Sequence, residues 1–208
     1  MEFSFSRNKS RNKISMEKVM SDLDRFVFKF CRILEENKIK YVIVSGYVAI
    51  VFGRSRNTED IDVLVEKIDF EKFEKLWDIL MKKYDCINAS SAKTAYFEYL
   101  NKKTAVRFSE KGRFIPNFEF KFTKTDIDEF TLDNAIELEV DKDKILISPI
   151  ELQIAYKLQL GSDKDIDDAI FLFELFKSNL DNEELKKWFE YLKIAPELIK
   201  QLKGKIWE

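Results

Sequence analysis

The spacing of apolar residues changes several times along the chain, and each change predicts a different kind of element. From Met16 onward apolar residues recur every three or four positions, which predicts an amphipathic first helix with Ser15 as its cap. The β-branched run Tyr41–Val44 then predicts a short strand, which ends in a turn formed by Ser45 and Gly46. The chain therefore begins with a helix, a strand and a glycine-containing turn.

The segments after this turn continue the alternation of helix and strand. Residues 48–52 predict a short helix, and the run Ile61–Val65 predicts a second buried strand. Asp69 is placed to cap a further helix whose apolar residues fall on one side. This order is typical of an α/β arrangement.

The middle of the chain contains shorter runs that alternate in polarity or are rich in aromatic residues. Four of them predict sheet strands: Tyr96–Tyr99, Thr104–Phe108, Phe118–Phe122 and Ile136–Val140. After Ser148 the pattern is helical to the end of the chain, with a proline at the expected first helical position. We therefore expect an α/β (α+β) fold, with a mixed sheet and flanking helices over residues 15–147 and a C-terminal helical bundle over residues 148–208.

The first segment, residues 1–14, is polar and carries four basic residues at alternate positions, from Arg7 to Lys13. It has too little apolar surface to fold alone, so we expect a flexible basic arm. Two interpretations stay open: an arm that grips nucleic acid, or a frayed and solvated terminus.

Composition limits the classes of site that the chain can build. Its 208 residues are 45% hydrophobic, which allows a substantial core, and its net charge of -2 indicates no general attraction to nucleic acid. The absence of histidine excludes His-based triads and His-containing zinc sites, and Cys31 and Cys86 lack metal-binding spacing. No apolar run approaches the length of a membrane span and no signal peptide is recognisable, so we expect a cytoplasmic protein without a membrane partner.

The residues that point to chemistry form the pattern R-x-T-x-D-x-D: Arg56, Thr58, Asp60 and Asp62. On an extended strand, residues two apart point to one face, so we expect the two carboxylates to lie together. Asp62 stands between two β-branched residues, where an unpaired charge is costly, and this favours a metal site over a solvated face. Carboxylates are preferred Mg²⁺ ligands, and nucleotide transfer from a triphosphate uses two such ions. We therefore predict a nucleotidyl-transfer site.

A third acid from a neighbouring strand would complete this site. We prefer Glu119, which stands between two phenylalanines in a strand-like run. Glu98 has a similar setting, while Glu137 and Glu139 alternate like an exposed face. An outward Glu119 paired with Lys121 is an equally open alternative.

The turn before the aspartates is a candidate for nucleotide binding. Ser45 and Gly46 end a strand and begin a helix, so their backbone N–H groups can face a triphosphate, although an ordinary tight turn has the same sequence. Arg56 is expected to contact phosphate, to support a ligand, or to pair with Asp60. Thr58 is expected to hold the turn through a side-chain hydrogen bond.

The string SGYVAIVFGRSRNTEDIDVLV, residues 45–65, resembles the signature of the polymerase-β-like nucleotidyltransferase superfamily. Its R-x-T-x-D-h-D part is similar to the branch that includes AbiEii-type toxins and related minimal nucleotidyltransferases. In that branch a lysine and a K/R-D-x-x-D element occur on C-terminal helices, and Lys157 and the segment 164–168 are similar to them. The resemblance spans about residues 42–172.

The resemblance implies roles for individual residues. It implies that the metal ligands are Asp60, Asp62 and Glu119. It also implies that Lys157 contacts the triphosphate and that Asp165 or Asp168 lies near the acceptor. From the residues alone, Lys157 fits a solvated helix position equally well, and Asp165 fits the third position of a helix capped by Ser162.

The chain departs from the family pattern in two places. Ser45 replaces the first glycine of the turn, and the third acid is a glutamate. Both departures leave room for a member with weakened catalysis.

Two functions follow as hypotheses. The first is Mg²⁺-dependent transfer of a nucleoside monophosphate from an NTP to an unidentified hydroxyl acceptor, such as tRNA, a protein or a small molecule. The alternative is a catalytically weakened binding protein that pairs with a partner, as toxins and antitoxins do. Aromatic residues around Trp188, Phe189 and Tyr191 would serve such contact, although their spacing also suits an internal helix seam.

Overall fold

The computed structural model describes residues 5–8 and 12–204, and in this part of the chain the strands form one mixed sheet. In chain order they are β1 (Phe5–Asn8), β2 (Lys13–Met16), β3 (Tyr41–Val44), β4 (Asp60–Val65), β5 (Tyr84–Cys86), β6 (Val106–Glu110), β7 (Asn117–Phe122), β8 (Ile136–Val140) and β9 (Asp143–Ile147). Their order across the sheet is β1-β2-β8-β9-β3-β4-β7-β6-β5. The predicted α/β (α+β) class with a mixed sheet is confirmed.

Helices flank this sheet and fill the C-terminal part. They are α1 (Asp22–Glu36), α2 (Gly46–Val51), α3 (Phe70–Leu80), α4 (Ala92–Thr94), α5 (Asp126–Asp133), α6 (Ile150–Leu160), α7 (Asp163–Phe176), α8 (Asn182–Tyr191) and α9 (Pro196–Gly204). The predicted cap is confirmed, because Asp69 caps α3. Gly161 ends α6 in the left-handed conformation, and Pro196 begins α9.

The centre of the sheet separates an apolar face from a charged face. β4 lies antiparallel to β3 and parallel to β7. On the apolar face Ile61 and Phe118 are fully buried, and Phe30 of α1 stacks on Phe118 with 3.9 Å between ring centroids. On the opposite face the register sets Asp62 directly beside Glu119. Because side chains alternate along each strand, burial of one set aims the other set away from this core.

The N-terminal prediction is wrong where the structure describes it. The arm expected over residues 1–14 contributes β1 and the first part of β2, and β2 pairs with β8. Ile14 is fully buried because it alternates with polar neighbours in a strand. Ser15 is therefore a strand residue, and α1 begins later, with Ser21 as its cap. Residues 1–4 and 9–11 lie outside the described part.

The predicted strand at 96–99 is also wrong. Ser91 caps α4, and the chain continues through a π-helical turn, Ala95–Tyr99, and a 3-10 turn, Leu100–Lys102. Tyr96 packs edge-on against Phe70, with ring centroids 5.4 Å apart. A run of four residues does not distinguish a strand from a buried helical turn, and here tertiary packing of the aromatic rings selects the helical form.

The C-terminal helices share the core of the sheet. The change from strand to helix falls at Ser148 and Pro149, but Pro149 is the N-cap of α6 and not, as predicted, its first residue. Buried residues on both sides of this point belong to one hydrophobic cluster. α6 is buried on several faces and packs against α7 and α8. Within residues 5–8 and 12–204, no helix combines the length and the apolarity that crossing a bilayer requires.

Candidate active site

The two aspartates of the motif lie at the start of β4 on the charged face of the sheet. Asp60 is exposed and Asp62 is partly buried, and the alternation of the strand gives both side chains the same direction. Among the described residues Asp60 forms no ion pair. The Thr58 hydroxyl donates a hydrogen bond of 2.9 Å to the backbone carbonyl of Asp60, which confirms the predicted turn-holding role.

Glu119 of β7 lies beside Asp62, and a lysine lies between their carboxylates. Lys121 Nζ is 2.6 Å from Asp62 Oδ1 and 2.7 Å from Glu119 Oε2. Arg107 of β6 approaches the other oxygen of Glu119, with 2.5 Å between Nη2 and Oε1. Glu119 is therefore on the site face and is paired with Lys121, while its role as the third acid of a metal site stays a prediction.

The other acids considered for the third position lie elsewhere. Glu98 is exposed on the π-helical turn and pairs with Lys102. Glu137 lies on β8, where it pairs with Lys13 and Lys144, and Glu139 of the same strand also pairs with Lys13. β8 is separated from β4 by two strands.

The paired charges shift the pKa values of this group. Burial alone would raise the pKa of Glu119, but the hydrogen bonds and charges of Lys121 and Arg107 outweigh it and lower that pKa. Burial would lower the pKa of Lys121, and the carboxylates of Asp62 and Glu119 raise it instead. Glu119 is therefore ionised and Lys121 charged at neutral pH.

The carboxylates fit a divalent ion only in part. Among residues 5–8 and 12–204, no group of three or more acidic or cysteine side chains is arranged to hold a metal. Asp60 and the Oδ2 atom of Asp62 have no charged partner among the described residues and are suitable Mg²⁺ ligands. Asp62 Oδ1 and Glu119 already contact the ammonium group of Lys121. The residues present thus offer two carboxylates for a single ion, while two ions were expected.

The turn between β3 and α2 is strained and is held by a side chain that the sequence pattern did not indicate. Ser45 has φ of 64° and ψ of -136°, a region that favours glycine. Its N–H donates to Gln153 Oε1 at 3.3 Å, and Gln153 Nε2 donates to the Ser45 carbonyl at 2.8 Å. Ser148 donates a further bond of 2.8 Å to Gln153 Oε1. α6 thus fixes the turn where glycine would have adopted this conformation freely.

Gly46 allows an arginine to approach the same turn. A Cβ atom at Gly46 would lie 2.2 Å from Arg56 Nη2, so only glycine leaves the guanidinium in this position. Arg56 Nη1 donates to Asp168 Oδ2 at 2.8 Å, and Arg56 also lines a groove of about 740 Å³ together with Thr58. Of the three roles expected for Arg56, pairing with Asp60 is not observed.

Lys157, Asp165 and Asp168 form a buried ion-pair network with the arginines of the loop before β4. Lys157 Nζ is 2.6 Å from Asp165 Oδ1 and 3.0 Å from Asp168 Oδ2. Arg54 also pairs with Asp168, and Ser162 donates to Asp165 at 2.5 Å. Lys157 is only 1% exposed, so the solvated position considered for it is wrong.

Burial and pairing act in opposite directions within this network. Burial lowers the pKa of Lys157, although Asp165 opposes the shift. Burial would raise the pKa of Asp165, but hydrogen bonds from Lys157 and Ser162 lower it below its usual range. Asp165 therefore remains ionised, and the network joins α6, α7 and the loop before β4 through charged contacts.

A cavity of about 460 Å³ adjoins the charged face of the sheet. Its walls include Asp62 and Lys121 from the sheet, Ser45 from the turn, and Leu152 and Tyr156 from α6. Tyr156 is 41% exposed. A ligand in this cavity would therefore meet a charged floor and an apolar wall.

Sequence reasoning missed Gln153 and Arg54 and did not place Lys121 between two carboxylates. A signal for Gln153 existed, because a polar residue on a helix that is buried on several faces needs a partner. No comparable signal existed for Lys121. Its position depends on the parallel register of β4 and β7, which brings together residues far apart in the chain.

Comparisons with known proteins bear on the fold. No family model matches the sequence, and no curated protein matches it. An antigenic nucleotidyltransferase-like protein from Paracoccidioides brasiliensis superposes with a TM-score of 0.53 at 18% identity, over 88% of this chain and 92% of that one. The antibiotic-resistance factor ANT(2'')-Ia gives a TM-score of 0.48 at 10% identity, over 89% of this chain and 100% of that one. The first of these likenesses shows that the chain has a nucleotidyltransferase-like fold.

Proposed function

We propose that the protein is a Mg²⁺-dependent nucleotidyltransferase that moves a nucleoside monophosphate from an NTP to a hydroxyl acceptor. The observation that supports it is the pair of aspartates on one face of β4, of which Asp62 lines a cavity, within a nucleotidyltransferase-like fold. In this reaction an acceptor oxygen forms a bond to the α-phosphorus. The bond from that phosphorus to the oxygen that bridges it to the β-phosphorus breaks, pyrophosphate leaves, and the proton of the acceptor hydroxyl passes to solvent.

In this proposal Asp60 and Asp62 are the ligands of the catalytic Mg²⁺. The ion would lower the pKa of the attacking hydroxyl and neutralise charge on the phosphate. Glu119, the expected third acid, acts on the site from the neighbouring strand through Lys121. Lys121 then adds a fixed positive charge to the floor of the cavity.

We propose that the triphosphate lies at the turn formed by Ser45 and Gly46 and that Arg56 supplies the cation that faces it. Arg56 is held against Gly46 and lines an open groove. Lys157 and Asp168 are positioning residues in this proposal, since Asp168 bonds both Lys157 and Arg56. Asp165 fixes Lys157 in turn.

The resemblance to the AbiEii-like branch narrows the proposal but leaves the acceptor open. It rests on the R-x-T-x-D-h-D pattern and on the 164–168 element, whose Asp168 pairs with Arg54 and Arg56 in the buried network. The acceptor is a hydroxyl of RNA such as tRNA, of a protein, or of a small molecule. A location in the cytoplasm fits this reaction because NTPs and Mg²⁺ are available there.

The test is transfer of label from each of four α-³²P-labelled NTPs. Purified protein with Mg²⁺ is incubated with separated RNA, protein and small-molecule fractions of a cell extract. We expect one fraction to gain α-label and no fraction to gain label from a γ-labelled NTP, because the γ-phosphate leaves with pyrophosphate. Absence of α-label from every fraction with all four NTPs would refute the proposal.

A second candidate function is a weakened nucleotidyltransferase-like protein that binds a partner, such as the other member of a toxin–antitoxin pair. Two observations favour it: Lys121 and Arg107 already neutralise Glu119, and Ser45 is strained where glycine would be relaxed. Tyr191, which is 60% exposed and lies beside Trp188, would be accessible to such a partner, whereas the neighbouring Phe189 is buried. Calorimetry separates the two functions, because the enzyme binds an NTP more tightly with Mg²⁺ and the binding protein does not.

A further inference from the structure

On the charged face of the sheet, Lys121 lies between two of the carboxylates that were expected to bind metal. Its ammonium group lies 2.6 Å from an oxygen of Asp62 and 2.7 Å from an oxygen of Glu119. These two acids occupy paired positions of adjacent parallel strands. A positive charge that contacts both carboxylates occupies the space in which an ion bridging them would have to lie.

The surroundings indicate that this ammonium is fixed in place. Lys121 lies two residues after Glu119 on the same strand, so the two side chains share one face. The side chain of Lys121 is 23% exposed, and that of Glu119 is 14% exposed. Arg107 contacts the remaining oxygen of Glu119, which leaves this carboxylate with a cationic partner on each oxygen. Asp62, in contrast, has one oxygen bound by Lys121 and keeps the other available.

We propose that Lys121 is a resident cation, which takes the place of a divalent ion between Asp62 and Glu119. The native chain then binds its divalent ion through Asp60 and Asp62 alone, and Glu119 is not a metal ligand. The inference concerns the same carboxylates as the proposed function. It predicts metal binding only, so it can hold whether or not nucleotides are transferred.

The physical basis is competition between cations for the same oxygens. A divalent ion between Asp62 and Glu119 would have to displace Lys121 or lie beside its positive charge, and like charges at such distances repel strongly when partly shielded from water. Removal of the ammonium group should therefore create a site that the native protein lacks. Glu119 should become a ligand only after that removal.

The test measures Mn²⁺ affinity by electron paramagnetic resonance of the free ion, with the protein alone and without nucleotide. The variants are Lys121→Met, Glu119→Gln and the double variant. Lys124→Met is the matched control, because Lys124 lines the same cavity and forms no ion pair with Asp62 or Glu119. Lys121→Arg keeps the positive charge, and circular dichroism checks the fold of each variant.

We expect Lys121→Met to bind Mn²⁺ at least about tenfold more tightly than the native protein, and Glu119→Gln to erase that gain. In the native background Glu119→Gln should change the affinity by less than about twofold, and Lys124→Met and Lys121→Arg should behave like the native protein. If Lys121→Met does not fold, a large loss of native Mn²⁺ affinity in Glu119→Gln would still overturn the proposal, since Glu119 would then be a ligand.

Two results would overturn the proposal that Lys121 is a resident cation. One is a folded Lys121→Met variant that binds Mn²⁺ no more tightly than the native protein, and the other is a gain in affinity that persists without Glu119. The outcome is separable from that of the proposed function. A tighter, Glu119-dependent site in a protein that labels no acceptor would uphold Lys121 as the resident cation and refute nucleotidyl transfer.

Discussion

Two groups of charged residues lie near each other in this molecule and differ in their access to solvent. The open group on the sheet contains Asp60, Asp62, Glu119 and Lys121, and it borders a cavity. The closed group joins Arg54, Arg56, Lys157, Asp165 and Asp168, and in it Asp168 is 0% exposed. Resemblance to a family assigned site roles in both groups. Of these two groups, however, the open one presents accessible carboxylate oxygens that have no cationic partner among the described residues.

The difference shows how pairing and burial divide the roles of similar side chains. A buried charge needs partners, and its removal leaves those partners unpaired, so the closed group should govern stability. A partly exposed carboxylate costs little free energy of folding and can exchange the cations that bind it, so the open group should govern chemistry. Substitutions in each group can test this division.

The largest effect is expected for Asp62→Asn. Loss of a metal ligand removes several kcal/mol of transition-state stabilisation, and about 1.36 kcal/mol corresponds to a tenfold change in rate, so nucleotidyl transfer should fall at least about a thousandfold. The free energy of unfolding should change by less than about 1 kcal/mol. Transfer rates and urea denaturation measure both. Asp78→Asn, on the exposed side of α3, is the control and should retain activity.

In the closed group, Asp168→Ala should lower the free energy of unfolding by about 3–5 kcal/mol, because Arg54, Arg56 and Lys157 lose their shared partner. Urea denaturation measures the loss. Asp167→Ala is a matched control one residue away, where the side chain is 61% exposed and the expected loss is below about 1 kcal/mol. Equal losses in both variants would contradict the division.

The pH dependence of stability sharpens the same comparison. Pairing with Lys157 and Ser162 lowers the folded pKa of Asp165 below its usual value of about 3.9. The unfolded chain therefore takes up the proton first, and the stabilisation is complete at neutral pH and lost as the pH falls through the folded pKa. Asp165→Asn should cost about 2 kcal/mol at pH 7, and the difference should shrink below about pH 4. Denaturation from about pH 3 to pH 7 tests this trend, and a pH-independent difference would refute it.

The smallest effect is expected at the turn that lies between the two groups. Ser45→Gly should relieve positive-φ strain while adding entropy to the unfolded chain, for a net gain of up to about 1 kcal/mol in the free energy of unfolding. Thermal and urea denaturation measure it. Ser55→Gly, in the loop after α2, serves as a control without relief of such strain. A loss of stability in Ser45→Gly would mean that the serine side chain stabilises the turn.

The sequence allowed prediction of features that depend on local order. The strand of Ile61–Val65 and the common direction of Asp60 and Asp62 follow from alternation over a few residues, and both are found. The predictions for the segment 96–99 and for the N-terminal arm were wrong, because a short sequence pattern does not reveal which distant element packs against the segment. Those segments acquired their conformations from tertiary contacts.

Features that depend on the register between distant segments could not be predicted from the sequence. The contact of Lys121 with Asp62 joins residues separated by 59 positions. The contact of Arg56 with Asp168 joins residues separated by 112 positions. Periodicity along one element carries no information on the register of its neighbours, so the sequence alone could not predict which of these charges pair. The metal-binding and nucleotide-binding roles stay predictions.

A crystal structure with Mn²⁺ and a non-hydrolysable triphosphate analogue would show directly whether the paired aspartates of β4 hold the metal. We expect anomalous density for Mn²⁺ against Asp60 and Asp62, with the triphosphate near Arg56 and the closed group unchanged. Nucleotide and metal bound elsewhere, with both aspartates free of ligands, would contradict the proposed site.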